Sequence, residues 1–162
     1  MKITTYALVA ALSTAGLALT GTAARAETTC GTQHAIEFDT PGFDTDFRVR
    51  ICIYHGSSTR GAYAGVSWQN GGDDTTDGRR KFDLLDVHFD LRQGTESLGH
   101  GSCDLTRRVN SDESALFTCE AVYRESPVQG GWSATGYLLY NVDRDGAGDM
   151  RVDLPGSPTV RN

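Results

Sequence analysis

Apolar and polar residues alternate along most of the chain beyond residue 30, and the period is two rather than 3.6. Phe47, Val49, Ile51 and Ile53 fall on one face of a run from Phe47 to His55, with Arg48, Arg50, Cys52 and Tyr54 on the other. Ala64, Val66 and Trp68 share a face within Ala62–Gln69. A long run from Lys81 to Arg92 changes phase at Leu84-Leu85 and then continues as Leu85, Val87, Phe89 and Leu91. A phase slip inside a strand is the sequence form of a β-bulge. Further strands are expected at Ala35–Phe38, Ser102–Arg108, Ala115–Arg124, Trp132–Val142 and Met150–Leu154. No stretch in this region holds a helical period, and the runs are separated by turns rich in Gly, Asn and Asp. The pattern predicts an all-β chain: an antiparallel β-sandwich of about eight strands, with a barrel as second choice.

The first 26 residues follow a different rule. Lys2 opens a short positive region, an apolar run extends from Tyr6 to about Leu19, and Ala24-Arg25-Ala26 has the small-x-small form of a cleavage site. Residues 1–26 therefore read as a signal peptide and 27–162 as a single domain, with no Pro- or Ser-rich linker inside it. The apolar run is shorter than the ~20 residues a spanning helix needs, which argues against a membrane anchor. Cleavage after Ala26 would leave 136 of 162 residues. It would remove Lys2 and Arg25, so that 13 basic residues face 21 acidic ones and the net charge falls from −6 to −8. Such an acidic chain offers no cationic surface for phosphates, which excludes a nucleic-acid partner and a polybasic membrane-surface role.

Export gives the cysteines their meaning. Cys30, Cys52, Cys103 and Cys119 are even in number, and no two are separated by the two to four residues of a zinc ligand pair. Two disulfides are expected. A hairpin centred near Ser111, in the turn-rich Asn110-Ser111-Asp112-Glu113, would place Cys103 opposite Cys119 and Leu105 opposite Phe117. Cys30 then pairs with Cys52 by elimination.

Four constellations could carry chemistry. Asn141, Asp143, Asp145 and Asp149 alternate around Gly146 and Gly148, a spacing that can wrap calcium. However, Val152 stands where a bidentate Glu belongs, and a plain hairpin turn explains Asp145-Gly146 equally well. Asp73, Asp74 and Asp77 lie in a Gly-rich loop ahead of Arg79-Arg80-Lys81, a candidate recognition tip or a simple solvated connection. Asp86, His88 and Asp90 share the polar face of the long strand, where they could bind a metal or form the wet face of a half-buried sheet. Glu125-Ser126-Pro127-Val128 is a stiffened segment of the kind a protease inhibitor exposes. Nucleophile motifs are lacking: there is no Gly-x-Ser-x-Gly elbow, and His100-Gly101-Ser102-Cys103 leads into no strand-to-helix turn. Neither an enzyme nor a bound cofactor is expected, calcium excepted.

Arg50-Ile51-Cys52-Ile53-Tyr54, Gly71-Gly72-Asp73-Asp74 with Asp77-Gly78-Arg79-Arg80-Lys81-Phe82-Asp83, and Tyr140–Gly146 leading to Asp153-Leu154-Pro155-Gly156-Ser157-Pro158 give the chain its character. In these it resembles small secreted β proteins of actinomycetes. In size, export and cysteine content it is similar to the adaptor subunit of umbrella toxin particles, which bridges a repeat-containing scaffold and a lectin-like subunit. That resemblance implies a secreted, non-catalytic module whose partners are other secreted proteins. Two other functions fit the residues: a carbohydrate-binding module that uses surface Tyr or Trp with calcium support, and a protease inhibitor.

Overall fold

A computed structural model describes residues 26–72 and 80–161. The signal-peptide reading lies outside these residues except for Ala26, and so does the centre of the 70–78 loop. Ten strands and one short helix occur among the described residues: β1 (Glu27–Cys30), β2 (His34–Phe38), β3 (Thr45–His55), β4 (Thr59–Gln69), β5 (Phe82–Gln93), β6 (Glu96–Asp104), α1 (Thr106–Ser111), β7 (Ala115–Thr118), β8 (Val122–Glu125), β9 (Trp132–Val142) and β10 (Met150–Leu154). All pairings are antiparallel. One sheet is built on β3 and β4, with β1 and β2 end to end along β3 and β7 and β8 end to end along β4; the other has the order β10-β9-β5-β6. The expected sandwich is present and is not a closed barrel.

The period-two pattern explains the packing. Phe47, Val49, Ile51 and Ile53 of β3 and Ala62, Ala64, Val66 and Trp68 of β4 are buried. They share one apolar cluster with Leu85, Val87, Phe89 and Leu91 of β5 and with Trp132, Ala134 and Leu138 of β9. Each such strand turns one face inward and leaves the other to solvent or polar partners. The bulge expected at Leu84-Leu85 lies one step earlier, between Phe82 and Leu84 against β9. A second register shift falls between Leu91 and Arg92 against β6: Arg92 pairs with Ser97, but Leu91 pairs with Gly99, so Leu98 is the extra residue.

Both disulfides form with the expected partners. Cys30 and Cys52 are a directly opposed register pair of β1 and β3. Cys103 and Cys119 are bonded too, but the predicted hairpin around Ser111 does not exist. Cys103 lies in β6 of one sheet, while β7 and β8 pair with β4 of the other, so this bridge staples sheet to sheet. Leu105 and Val109 are the cause. They sit four residues apart and both are fully buried, which closes a single helical turn between the sheets. Asn110 locks that turn: its amide oxygen accepts the N–H groups of Lys81 and Phe82 and its amide nitrogen donates to the Phe82 carbonyl. Asn110 and Ser111, expected in a hairpin turn, lie in α1, and the strand expected over Ser102–Arg108 ends at Asp104, so the chain crosses between layers there instead of doubling back. Two disulfides in one small sandwich are consistent with an oxidising, extracytoplasmic environment.

Candidate functional site

A densely hydrogen-bonded exposed segment runs from Ser126 to Gly131, between β8 and β9. It is held from beneath by Arg60. That residue occupies an inward position of β4, in phase with Ala62, Ala64 and Val66, and is fully buried. Its guanidinium donates to the carbonyls of Gly56 and Thr59, to the Val128 carbonyl at 3.1 Å, and to the Gln129 side-chain oxygen at 2.8 Å. Its partners among the described residues are thus oxygens of carbonyls and an amide, not carboxylates. The Nε atom is buried with no hydrogen bond. Burial of the cation pushes the Arg60 pKa down from its ordinary value.

Other donors complete the support. The Trp132 indole, at the buried start of β9, donates to the same Val128 carbonyl at 3.0 Å. Gln129 donates its amide to the carbonyls of Ser57 and Pro127, and the Ser126 N–H bonds to the Ser58 carbonyl. His55 donates to the Gln129 carbonyl at 3.1 Å. Pro127 further restricts the backbone. Val128 remains 46% exposed. Beside it an open cleft of about 810 Å³ lies between this loop and the C-terminal segment, lined by His55, Val128, Gln129 and Val160 among others. That tail is fixed by β-type bonds to the loop and to β9: Gly131 N–H to the Val160 carbonyl and Val160 N–H to the Trp132 carbonyl. The result is a preformed, largely apolar surface with one protruding aliphatic side chain.

Nearby on the outer face, Tyr123 of β8 is 64% exposed and meets Tyr54 edge-on at 6.2 Å. Gly61 makes room for it. A Cβ at Gly61 would lie 2.7 Å from the Tyr123 ring.

The other candidate residues separate into three groups. Asp73, Asp74, Asp77 and Arg79 lie outside the described residues. Arg80 is engaged locally, with the Phe82 carbonyl at 2.8 Å and the Asp83 carboxylate at 3.2 Å.

Asn141, Asp143, Asp145 and Asp149 occupy the β9–β10 hairpin, whose strands pair from Met150–Tyr140 to Leu154–Gly136. Their carboxylates are turned to local partners. Asp145 accepts the Ala147 N–H at 2.8 Å, Asp149 accepts from the Asn141 amide at 3.0 Å, and Asp143 lies 3.4 Å from Arg144. Arg144, Gly146 and Gly148 take positive φ values of 62°, 72° and 75°, which is how the turn reverses. Among the described residues no three His, Cys, Asp or Glu side chains are grouped so that they could hold a metal ion.

Asp86, His88 and Asp90 do come together, and the fold adds His100 to them. They lie on the outer face of the four-stranded sheet. His88 Nε2 is 3.1 Å from Asp86, too far off line for a hydrogen bond; its Nδ1 is 3.5 Å from His100 Nε2; and His100 Nδ1 is 3.2 Å from Asp90. Ser97 donates to the same Asp90 oxygen. Tyr137 stacks on His88 at 4.6 Å, and Arg151 lies 3.7 Å above Tyr137. Ser102 is opposite His88 in the register. Both His88 nitrogens already face other groups, so this ring is not placed as a base for that hydroxyl.

Arg60, Gln129, His100 and Arg151 were not among the residues singled out as site candidates. The inward phase of an arginine among alanines and valines is the one signal the sequence holds for Arg60. The other three depend on register and loop closure. Comparison with protein-family models, with curated proteins and with solved structures returns no match.

Proposed function

We propose that this chain is a secreted, non-catalytic protein-binding module that presents the Ser126–Gly131 loop to its partner. The supporting observation is the loop's preorganisation: a buried arginine and a buried tryptophan both hold the Val128 carbonyl while the Val128 side chain projects outward. A segment already fixed in one conformation loses little entropy on binding, so its contacts count more fully toward affinity. The adjacent cleft and Tyr123 extend the surface, and aromatic and aliphatic anchors of this kind dominate protein interfaces. The finer role, an adaptor joining subunits of an extracellular toxin particle, rests on the resemblance to the umbrella-particle adaptors.

The same geometry weighs on the alternatives. A substrate-like protease inhibitor directs its reactive carbonyl into the protease's oxyanion hole. The Val128 carbonyl points inward to Arg60 and Trp132, so Val128 does not suit that role. Sugar stacking needs a free aromatic face. Both tryptophans are buried and the Tyr137 faces are taken by His88 and Arg151, although Tyr123 stays 64% exposed.

The test is recovery of partners from culture supernatant of the source cells with the wild-type chain and with Val128→Asp. The expected result is a secreted partner bound by wild type and lost with Val128→Asp while the fold persists. Recovery of the chain alone, or equal recovery with the variant, would remove the proposal.

A further inference from the structure

The His88–His100 pair is a separate feature, on the outer face of the β10-β9-β5-β6 sheet. We propose that it is a two-histidine site for a divalent transition ion of the zinc and copper group. Three observations carry this. First, the two ring nitrogens that face each other are 3.5 Å apart. Two imidazole donors on one tetrahedral zinc, with bonds of 2.0–2.1 Å, are separated by about 3.4 Å. The pair is therefore at bridging distance already, and rotation of the more exposed His100 ring turns its lone pair toward an ion shared with His88.

Second, the remaining nitrogen of each ring faces a carboxylate: His88 Nε2 faces Asp86 at 3.1 Å and His100 Nδ1 faces Asp90 at 3.2 Å. Carboxylates behind the non-ligating nitrogens favour N–H there and leave the inner nitrogens as acceptors, the arrangement found behind metal-binding histidines. Asp86 is itself oriented by the Cys103 N–H, and Asp90 by the Ser97 hydroxyl. With the outer protons held beside carboxylates, by a hydrogen bond at His100 and by proximity alone at His88, the two inner nitrogens are lone pairs facing each other, a contact that a cation between them turns favourable.

Third, the His88 ring is fixed in orientation. It stacks on Tyr137 with only 6° between the planes, and Tyr137 is covered by Arg151, which Asp153 holds at 2.8 Å. The charged and titratable groups on this face are Asp86, Asp90 and Arg92 on β5, Asp104 and His100 on β6, Tyr137 on β9, and Arg151 and Asp153 on β10. The carboxylates outnumber the two arginines, which suits a dication. No third described His, Cys, Asp or Glu joins the pair, so water completes the coordination. The His100 side chain is 55% exposed, which gives that water access.

The experiment is calorimetric titration of the disulfide-bonded, chelator-stripped chain with Zn²⁺ and with Cu²⁺. One equivalent is expected to bind. Binding should be lost in His88→Gln and in His100→Gln and kept in His34→Gln. Asp86→Asn and Asp90→Asn should each weaken it by about 10- to 100-fold. His88 is mostly buried, so the unmutated chain supplies a second readout: substoichiometric Cu²⁺ should broaden the imidazole NMR signals of His88 and His100 together. Absence of binding, binding that survives both histidine variants, or broadening confined to His34 or His55 would overturn the proposal.

Discussion

Strand β9 carries an exposed connection at each end, and the two are built on opposite plans. Residues 126–131, which lead into it, are held by side chains that belong to the core: Arg60 from β4 and Trp132 from β9 itself. Residues 143–149, which lead out of it, are held by their own carboxylates and by glycines in left-handed conformations. The first is stiff because buried donors would otherwise go unsatisfied. The second is shaped by local turn preferences, with the Asp143 N–H bonded to the Lys81 carbonyl at its start. An acidic turn is the more visible feature in a sequence, yet the less conspicuous loop is the one the core is committed to.

That contrast can be broken at Arg60. Arg60→Met should destabilise the protein by about 3 kcal/mol or more, because it strands several buried carbonyls at once. Chemical denaturation measures this, and amide exchange should accelerate in 126–131 more than in 143–149. Replacing Cys103 and Cys119 together by Ser provides a control of similar size. Opening a loop with a sequence separation of 16 should cost about 3 kcal/mol. Because that staple lies elsewhere, the difference in exchange between the two loops should persist. Trp132→Phe removes one donor from the Val128 carbonyl while leaving Arg60 in place. A loss of about 1–2 kcal/mol is expected, with a modest rise in exchange at Val128 and Gln129. Asp145→Ala should cost about 0.5 kcal/mol and alter exchange only at Ala147 and its neighbours. A loss as large as that of Arg60→Met would erase the distinction between the two connections.

The fold was legible where alternation was unbroken. Residues 47–53, 64–68 and 85–91 announce which face is buried, and the slip at Leu84-Leu85 announces a bulge within one residue of where it occurs. Cysteine pairing was legible as chemistry but not as architecture. The partners of Cys103 and Cys119 are right, yet Leu105 and Val109 make only one helical turn, too short for a period to emerge beside turn-rich Asn110-Ser111-Asp112. The candidate site was legible only in part. Pro127 marks a stiff segment, but that the Val128 carbonyl and the Gln129 side chain reach Arg60, 68 and 69 residues earlier, depends on how the strands register. Likewise Asp86, His88 and Asp90 are visible as a row, while His100 joins them only through the β5–β6 pairing.

That pairing turns on Leu98. With a two-residue turn at Gly94-Thr95 and no extra residue, His100 would oppose Phe89 and point into the core, and Cys103 would point outward. The single additional residue inverts every position after it in β6. Flattening of that bulge, so that Leu98 paired with Leu91, would therefore act as a reading-frame error in three dimensions. It would bury an imidazole, withdraw the sulfur from Cys119 and dismantle the polar row on the opposite side of the strand, although every residue of the chain remained in place.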